Sequence, residues 1–358
     1  RKVIGQYCIY FPLELALAAG AIPVSLCGTK NDTIPTAETV LPRTLCPLIK
    51  SSFGFALQDS CPYLAASDLV VGEATCDGKK KMYELLADYK PVMLMQLPQI
   101  QDEYAQKNWC REYTLLIDRI EKICGVTISE NDIKRAMDLT QRLRKSLKRV
   151  FDLAKKNPSP LSGLELLTIA QRTSFMPNYE EAITYLDAIA DEIEPVSTEN
   201  QEKKTRLLIT GTPVGIGSHK VVQILEECGA SVVCLDNCTC YKKVLLDMEP
   251  ASDEEKEPLS ILAKRYLSMH CAVMSPNPNR YTVLERLTQE FSADGVVDVT
   301  WQGCQTYEIE SSGLLKQFVQ KQLHLPYLQI NTDYSPSDTE QIKVRVEAFL
   351  EMVANQRI

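Results

Sequence analysis

Histidine is nearly absent from this chain, with three in 358 residues, and His219, His270 and His324 are too scattered to form a ligand set. That shortage removes the commonest nitrogen ligands for a metal. A basic excess is missing as well. Thirty-nine Lys and Arg stand against 47 Asp and Glu, a net charge of −8, so no partner is expected among nucleic acids, which demand a positive face. No apolar run approaches the roughly 20 residues needed to span a bilayer, so no membrane segment is expected. Arg1-Lys2-Val3-Ile4-Gly5 does not resemble a signal peptide, which points to a cytoplasmic location. There is no Gly-Lys-Ser/Thr phosphate loop, no G-x-G-x-x-G fingerprint and no C-x-x-C pair, so nucleotide loops, zinc ribbons and thioredoxin-type redox sites have no support.

What the chain has is sulfur. Thirteen cysteines in a reducing compartment read as buried thiols, metal ligands or catalytic groups rather than disulfides. Six fall into two even ladders: Cys46, Cys61 and Cys76 with 14 residues between neighbours, and Cys238, Cys271 and Cys304 with 32. Thiolates are the ligands that hold iron–sulfur clusters, so these six are the candidate metal and cofactor-binding residues. The gaps fit no local ligand loop; the argument rests on where the cysteines fall along the fold. Cys110, Cys124, Cys228 and Cys234 lie in apolar patterns and are expected to be structural. No role is assigned to Cys8 or Cys27.

Short apolar runs alternate with helical patterns, the signature of parallel α/β units. Strands are expected at Ala21–Leu26, Leu69–Gly72 and Val92–Gln96, and again at Leu207–Thr210, Ser231–Leu235, Gly295–Val299 and Tyr327–Ile330. Helical periodicity fills 103–193, and Ser162 with Glu165 suggests a capping box. The polar stretch Glu194–Lys204 is the preferred boundary. The expected architecture is therefore α/β, with two similar flavodoxin-like parallel-sheet domains and an intervening helical segment. An N-terminal domain is placed at 1–100, the helical segment and linker at 101–200 and a C-terminal domain at 201–358. The two α/β parts look like diverged copies, with cysteines near strand ends that would face a common cleft.

Other candidates carry less. Gly211-Thr212-Pro213-Val214-Gly215-Ile216-Gly217 follows a strand and could cradle an anion, or be only a glycine-rich turn. Lys79-Lys80-Lys81 is either a solvated face or a positive charge beside Cys76. Glu14 on the first helix and His270 beside Cys271 are the candidate catalytic acid–base groups.

Longer stretches resemble a known family. They are Gln6-Tyr7-Cys8, Pro12-Leu13-Glu14-Leu15, Leu45-Cys46-Pro47-Leu48-Ile49-Lys50-Ser51-Ser52, Gly72-Glu73-Ala74-Thr75-Cys76-Asp77-Gly78-Lys79-Lys80-Lys81-Met82 and Asp294-Gly295-Val296-Val297-Asp298 with Cys304. Together they are similar to the 2-hydroxyacyl-CoA dehydratase and benzoyl-CoA reductase family, within it most to the double-cubane cluster proteins. The resemblance implies an oxygen-sensitive iron–sulfur reductase of anaerobes, fed single electrons by an ATP-dependent activator that carries its own [4Fe-4S] cluster. In dehydratase members three cysteines hold one [4Fe-4S] cluster, and Cys46, Cys76 and Cys304 match them. The additional Cys61, Cys238 and Cys271 favour a double-cubane [8Fe-9S] cluster in a homodimer acting on a small molecule. The alternative is a dehydratase subunit with one [4Fe-4S] cluster acting on a CoA thioester.

Overall fold

The computed structural model describes residues 1–26, 28–200, 202–247 and 257–356; Cys27 and part of the Glu194–Lys204 stretch, Gln201, lie outside them. Eight strands form two four-stranded parallel sheets. β1 (Val3–Gln6), β2 (Ile22–Ser25), β3 (Leu69–Glu73) and β4 (Val92–Met95) are ordered β2-β1-β3-β4. β5 (Thr205–Gly211), β6 (Ala230–Asp236), β7 (Gly295–Trp301) and β8 (Tyr327–Thr332) are ordered β6-β5-β7-β8. The second order is the first with every strand number raised by four. Two similar α/β parts are therefore present.

β3 and β7 are buried along their whole length, because helices cover both faces of a parallel sheet and its inner strands need continuous apolar surface. β1 is the strand that sequence patterning did not single out. It is short and holds only Val3 and Ile4 as strongly apolar residues, yet it pairs with both β2 and β3 near the middle of its sheet.

The helices between the sheets start where their caps dictate. Asp102 accepts from the Ala105 amide at the head of Glu103–Cys124, and Gly125 closes that helix at φ 68°, a conformation that glycine tolerates. Ser162 and Glu165 form the expected capping box before Gly163–Ser174. These helices do not stand apart from the sheets. Glu130–Asp152 packs on Leu13–Ala18 of the first part, and Gly163–Ser174 lies on β6, so close that a Cβ at Gly163 would meet Val232 Cβ at 2.5 Å. One apolar core consequently runs from Phe53 and Val70 through Leu166 to Leu207 and Val296. Among the described residues, no helix is long and apolar enough to cross a membrane.

Candidate metal centre

Parallel sheets bring the carboxyl ends of their strands to one edge, and the loops beyond that edge carry the chemistry. Four cysteines follow strands there. Cys76 comes three residues after β3 and Cys304 three after its counterpart β7; Cys8 comes two after β1 and Cys238 two after β6. Cys46 opens the helix Pro47–Leu57 that crosses to β3, and Cys271 precedes Pro278–Glu290, which crosses to β7.

These six thiols sort into two trios. Cys304 hydrogen-bonds Cys46, and Cys76 senses the charge of Cys304. Gly303 makes the approach possible: at φ 76°, a Cβ there would stand 2.4 Å from Thr44 O. The second trio is Cys8, Cys238 and Cys271, each within the field of the others. Each trio takes two cysteines from one α/β part and one from the other. Tyr307, three residues beyond Cys304, reaches Cys271 with its hydroxyl 3.7 Å from the sulfur. Lys79 turns inward from the Lys79–Lys81 run and faces Cys8, Glu73 and Cys76, while Lys80 and Lys81 stay exposed.

The trios surround their thiols with different groups. Cys46, Cys76 and Cys304 each sit at the N-cap of a helix, where amide dipoles attract negative charge. The Cys304 thiol and the amides of Leu48 and Ile49 hold Cys46 below the ordinary thiol range against the effect of burial. These amides face the sulfur without forming a cap hydrogen bond. Burial and the donated hydrogen bond push Cys304 up instead. In the second trio, burial raises Cys238 to about 11 although Lys242 pulls it back, and it raises Cys8 against the pull of Lys79.

A closed polar network stands behind the second trio. Asp236, at the end of β6 and fully buried, bonds His270 Nε2 and Arg280 Nη1 at 2.7 Å each. Arg280 also reaches Glu310 at 3.2 Å, and Asn277 joins Glu310 to the Cys271 carbonyl. Burial opposes the charge on Asp236, but facing His270, Lys242 and Arg280 hold its carboxyl well below the usual range. Burial pushes the His270 imidazole down to about 4. It is neutral near pH 7, so Arg280 and Lys242 supply the balancing charge. His270, one residue before Cys271, is thus buried and held by Asp236. Glu14 is also engaged: Thr140, Arg144 and Tyr266 bond its buried carboxylate at 2.7–3.1 Å. Burial opposes its charge, but Arg144, Thr140 and Arg265 lower its pKa, so it is a fixed anion and not a ready proton donor.

Cys61 follows the far end of Pro47–Leu57, the 11-residue helix that Cys46 opens, and caps the next helix, Pro62–Ala66. Its thiol is buried and accepts from the Leu64 amide at 3.4 Å. Cys8 is the member that sequence reasoning left without a role. Its signal was its offset from β1, which repeats the offset of Cys238 from β6 and was invisible while β1 went unread. Of the adjacent pair Cys238 and Cys240, the second turns into the core. The amides of the Gly211–Gly217 loop are taken by its surroundings: Thr212, Gly215, Ile216 and Gly217 donate to Val299 O, Ser218 Oγ, Gln171 Oε1 and His219 Nδ1. It packs on Thr29 of the first part and offers no free anion cradle.

Beside the second trio opens a cavity of about 230 Å³, lined by Cys8, Cys238, Lys79 and Lys243 among mostly apolar side chains. Six soft sulfur donors suit iron–sulfur chemistry and do not suit a hard, oxygen-seeking cation. Among the described residues, no three His, Cys, Asp or Glu side chains converge on a single ion. A cubane asks for something else, since each cysteine binds a different iron.

The family model described as 2-hydroxyglutaryl-CoA dehydratase, D-component, matches residues 8–353. YjiM of Escherichia coli (strain K12), a dehydratase subunit by provisional name, is 43% identical over 98% of this chain and 91% of its own length. The (R)-phenyllactyl-CoA dehydratase beta subunit of Clostridium sporogenes is 25% identical over 98% and 91%. A benzoyl-CoA reductase subunit of Thauera aromatica is 24% identical over 87% and 77%. With two parallel sheets converging on paired cysteines and a match along almost its whole length, the chain belongs to the 2-hydroxyglutaryl-CoA dehydratase D-component family.

Proposed function

We propose that the chain is an iron–sulfur reductase whose two trios, Cys46, Cys76 and Cys304 with Cys8, Cys238 and Cys271, hold the two halves of a double-cubane [8Fe-9S] cluster. The observation that carries this reading is the sorting of six thiols into two adjoining groups, each built from both α/β parts. A dehydratase-type subunit would need only Cys46, Cys76 and Cys304; the second group is surplus to it. Such a cluster, when bound, would supply low-potential electrons for reduction of a small molecule. The chain has no nucleotide loop of standard form, so the electrons are assigned to a separate ATP-dependent activator with its own [4Fe-4S] cluster, and the working unit to a homodimer.

The protein's own groups have definable tasks. Lys79 lies between the trios and offsets negative charge on both. The Asp236, His270, Arg280 and Glu310 network fixes the backbone from which Cys238 and Cys271 project. The apolar cavity wall limits water beside Cys8 and Cys238.

Anaerobic purification followed by iron and sulfide analysis tests the reading. About eight irons per chain are expected, against about four for a dehydratase-type [4Fe-4S] subunit acting on a CoA thioester. Cys8→Ala should lower the iron content, whereas Cys61→Ala should keep it. The opposite pattern would return the ligand sets to the ladders Cys46, Cys61, Cys76 and Cys238, Cys271, Cys304.

A further inference from the structure

Of the buried cations in this protein three are answered by acids, while Arg206 and Lys242 are answered by backbone carbonyls. Arg144 meets Glu14, Arg280 meets Asp236 and Glu310, and Lys50 meets Glu38. Lys243 is different. Its ammonium donates to Ser174 Oγ, and no carboxylate among the described residues pairs with it. The charged groups acting on it are the thiols of Cys240 and Cys238, and burial pulls its pKa below the ordinary lysine value. Lys243 is half-buried, and a partly desolvated cation without a counter-ion is a place where a ligand can supply the missing charge.

The cavity around it sharpens the point. In a chain of net charge −8, the lining carries Lys79, Arg144 and Lys243 and, among the described residues, no Asp or Glu. Arg144 is engaged by Glu14, and Lys79 stands in the field of Cys8, Glu73 and Cys76. Lys243 is left to meet whatever enters. The remaining wall is mostly apolar, with Leu48, Leu143, Leu147 and Phe175 among it, and it also holds Cys8 and Cys238. A cavity of about 230 Å³ falls below the ~300–1,000 Å³ of pockets that enclose drug-sized ligands. It has room for an acid of a few carbons.

We infer that Lys243 is the anion-binding residue of the substrate cavity and that the substrate is a small, largely apolar carboxylate held by it beside Cys8 and Cys238. This rests on the proposed reductase reading, since it takes the cavity next to the second trio as the place of reaction.

Calorimetric titration of anaerobically purified protein with 2-butenoate and with its neutral amide tests the inference on wild type, Lys243→Met and Lys243→Arg, with iron counted in each sample. Wild type should bind the acid at least about tenfold more tightly than the amide, the scale of one charge-assisted hydrogen bond. Lys243→Met should lose that margin while its amide binding stays unchanged, and Lys243→Arg should keep most of it. Equal affinity of wild type for acid and amide, binding of neither, or an unchanged margin in Lys243→Met overturns the site. Wild type that lacks iron yet still prefers the acid would end the cluster reading and leave the anion site standing. Wild type replete with iron but without the preference does the reverse.

Discussion

The two cysteine trios meet the same requirement, thiolates held at the edge of a parallel sheet, with different materials. Cys46, Cys76 and Cys304 are each the first residue of a helical run. Backbone dipoles attract their negative charge, and few side chains are needed behind them. Cys8, Cys238 and Cys271 sit in loops and have no such helix starts. Lys79 and Lys242 provide the positive charge, and a buried network of Asp236, His270, Arg280 and Glu310 provides the rigidity. A backbone field cannot be removed by one substitution. A side-chain network can, and the lesson is that the second trio is the fragile one.

Arg280→Met should therefore be the most damaging change. It strips the fully buried Asp236 and Glu310 of a shared cation, and removing one partner of a buried pair costs about 3–5 kcal/mol. Chemical denaturation should show the loss. Thiol-by-thiol alkylation of metal-free protein should show Cys238 and Cys271 newly reactive and Cys46 unaltered. Equal exposure of both trios would break the comparison.

Glu14→Gln extends the test to the buried carboxylate of the first α/β part. Three donors converge on it, so the loss should be about 2–3 kcal/mol. The pH dependence gives a second handle. The folded-state pKa lies below the ordinary 4.5, so Glu14 contributes stability above that value and loses it as pH falls through the lowered one. Denaturation curves from pH 7 down to pH 3 should slope less in Glu14→Gln than in wild type.

Gly303→Ala aims at the first trio. A Cβ there meets Thr44 O at 2.4 Å in a left-handed conformation, for a cost of about 1–3 kcal/mol. Alkylation should rise at Cys46 and Cys304 and remain unchanged at Cys238, the mirror image of Arg280→Met. Cys240→Ala is the smallest change. Its thiol is wholly in the core, so about 1 kcal/mol of stability should go while the iron content stays the same.

How much of this was legible in the sequence depends on the length of the signal. β3, β5, β6 and β7 are long or fully buried, and their runs of Val, Leu and Ile announce them. β1 has four residues with Gly5 and Gln6 among them, too little for periodicity, although its central position makes it indispensable. Missing it hid Cys8. The even spacing that drew Cys61 into the ladder carried no mechanical meaning, because a helix of 11 residues stands between it and Cys46. Glu14 and His270 showed the residue types of acid–base groups. Their partners, Arg144 and Tyr266 for one and Asp236 for the other, come from more than 30 residues away, and no local pattern marks them.

The order of strands and helices, the doubling of the α/β plan and the supply of soft ligands were written into the chain by local patterning and composition. Which thiols became neighbours was decided by the packing of one sheet edge against the other, across hundreds of residues of chain. The same packing turned Lys79 inward and left Lys243 without an acid among the described residues. Charge and sulfur are properties of residues, but the company they keep is a property of the fold.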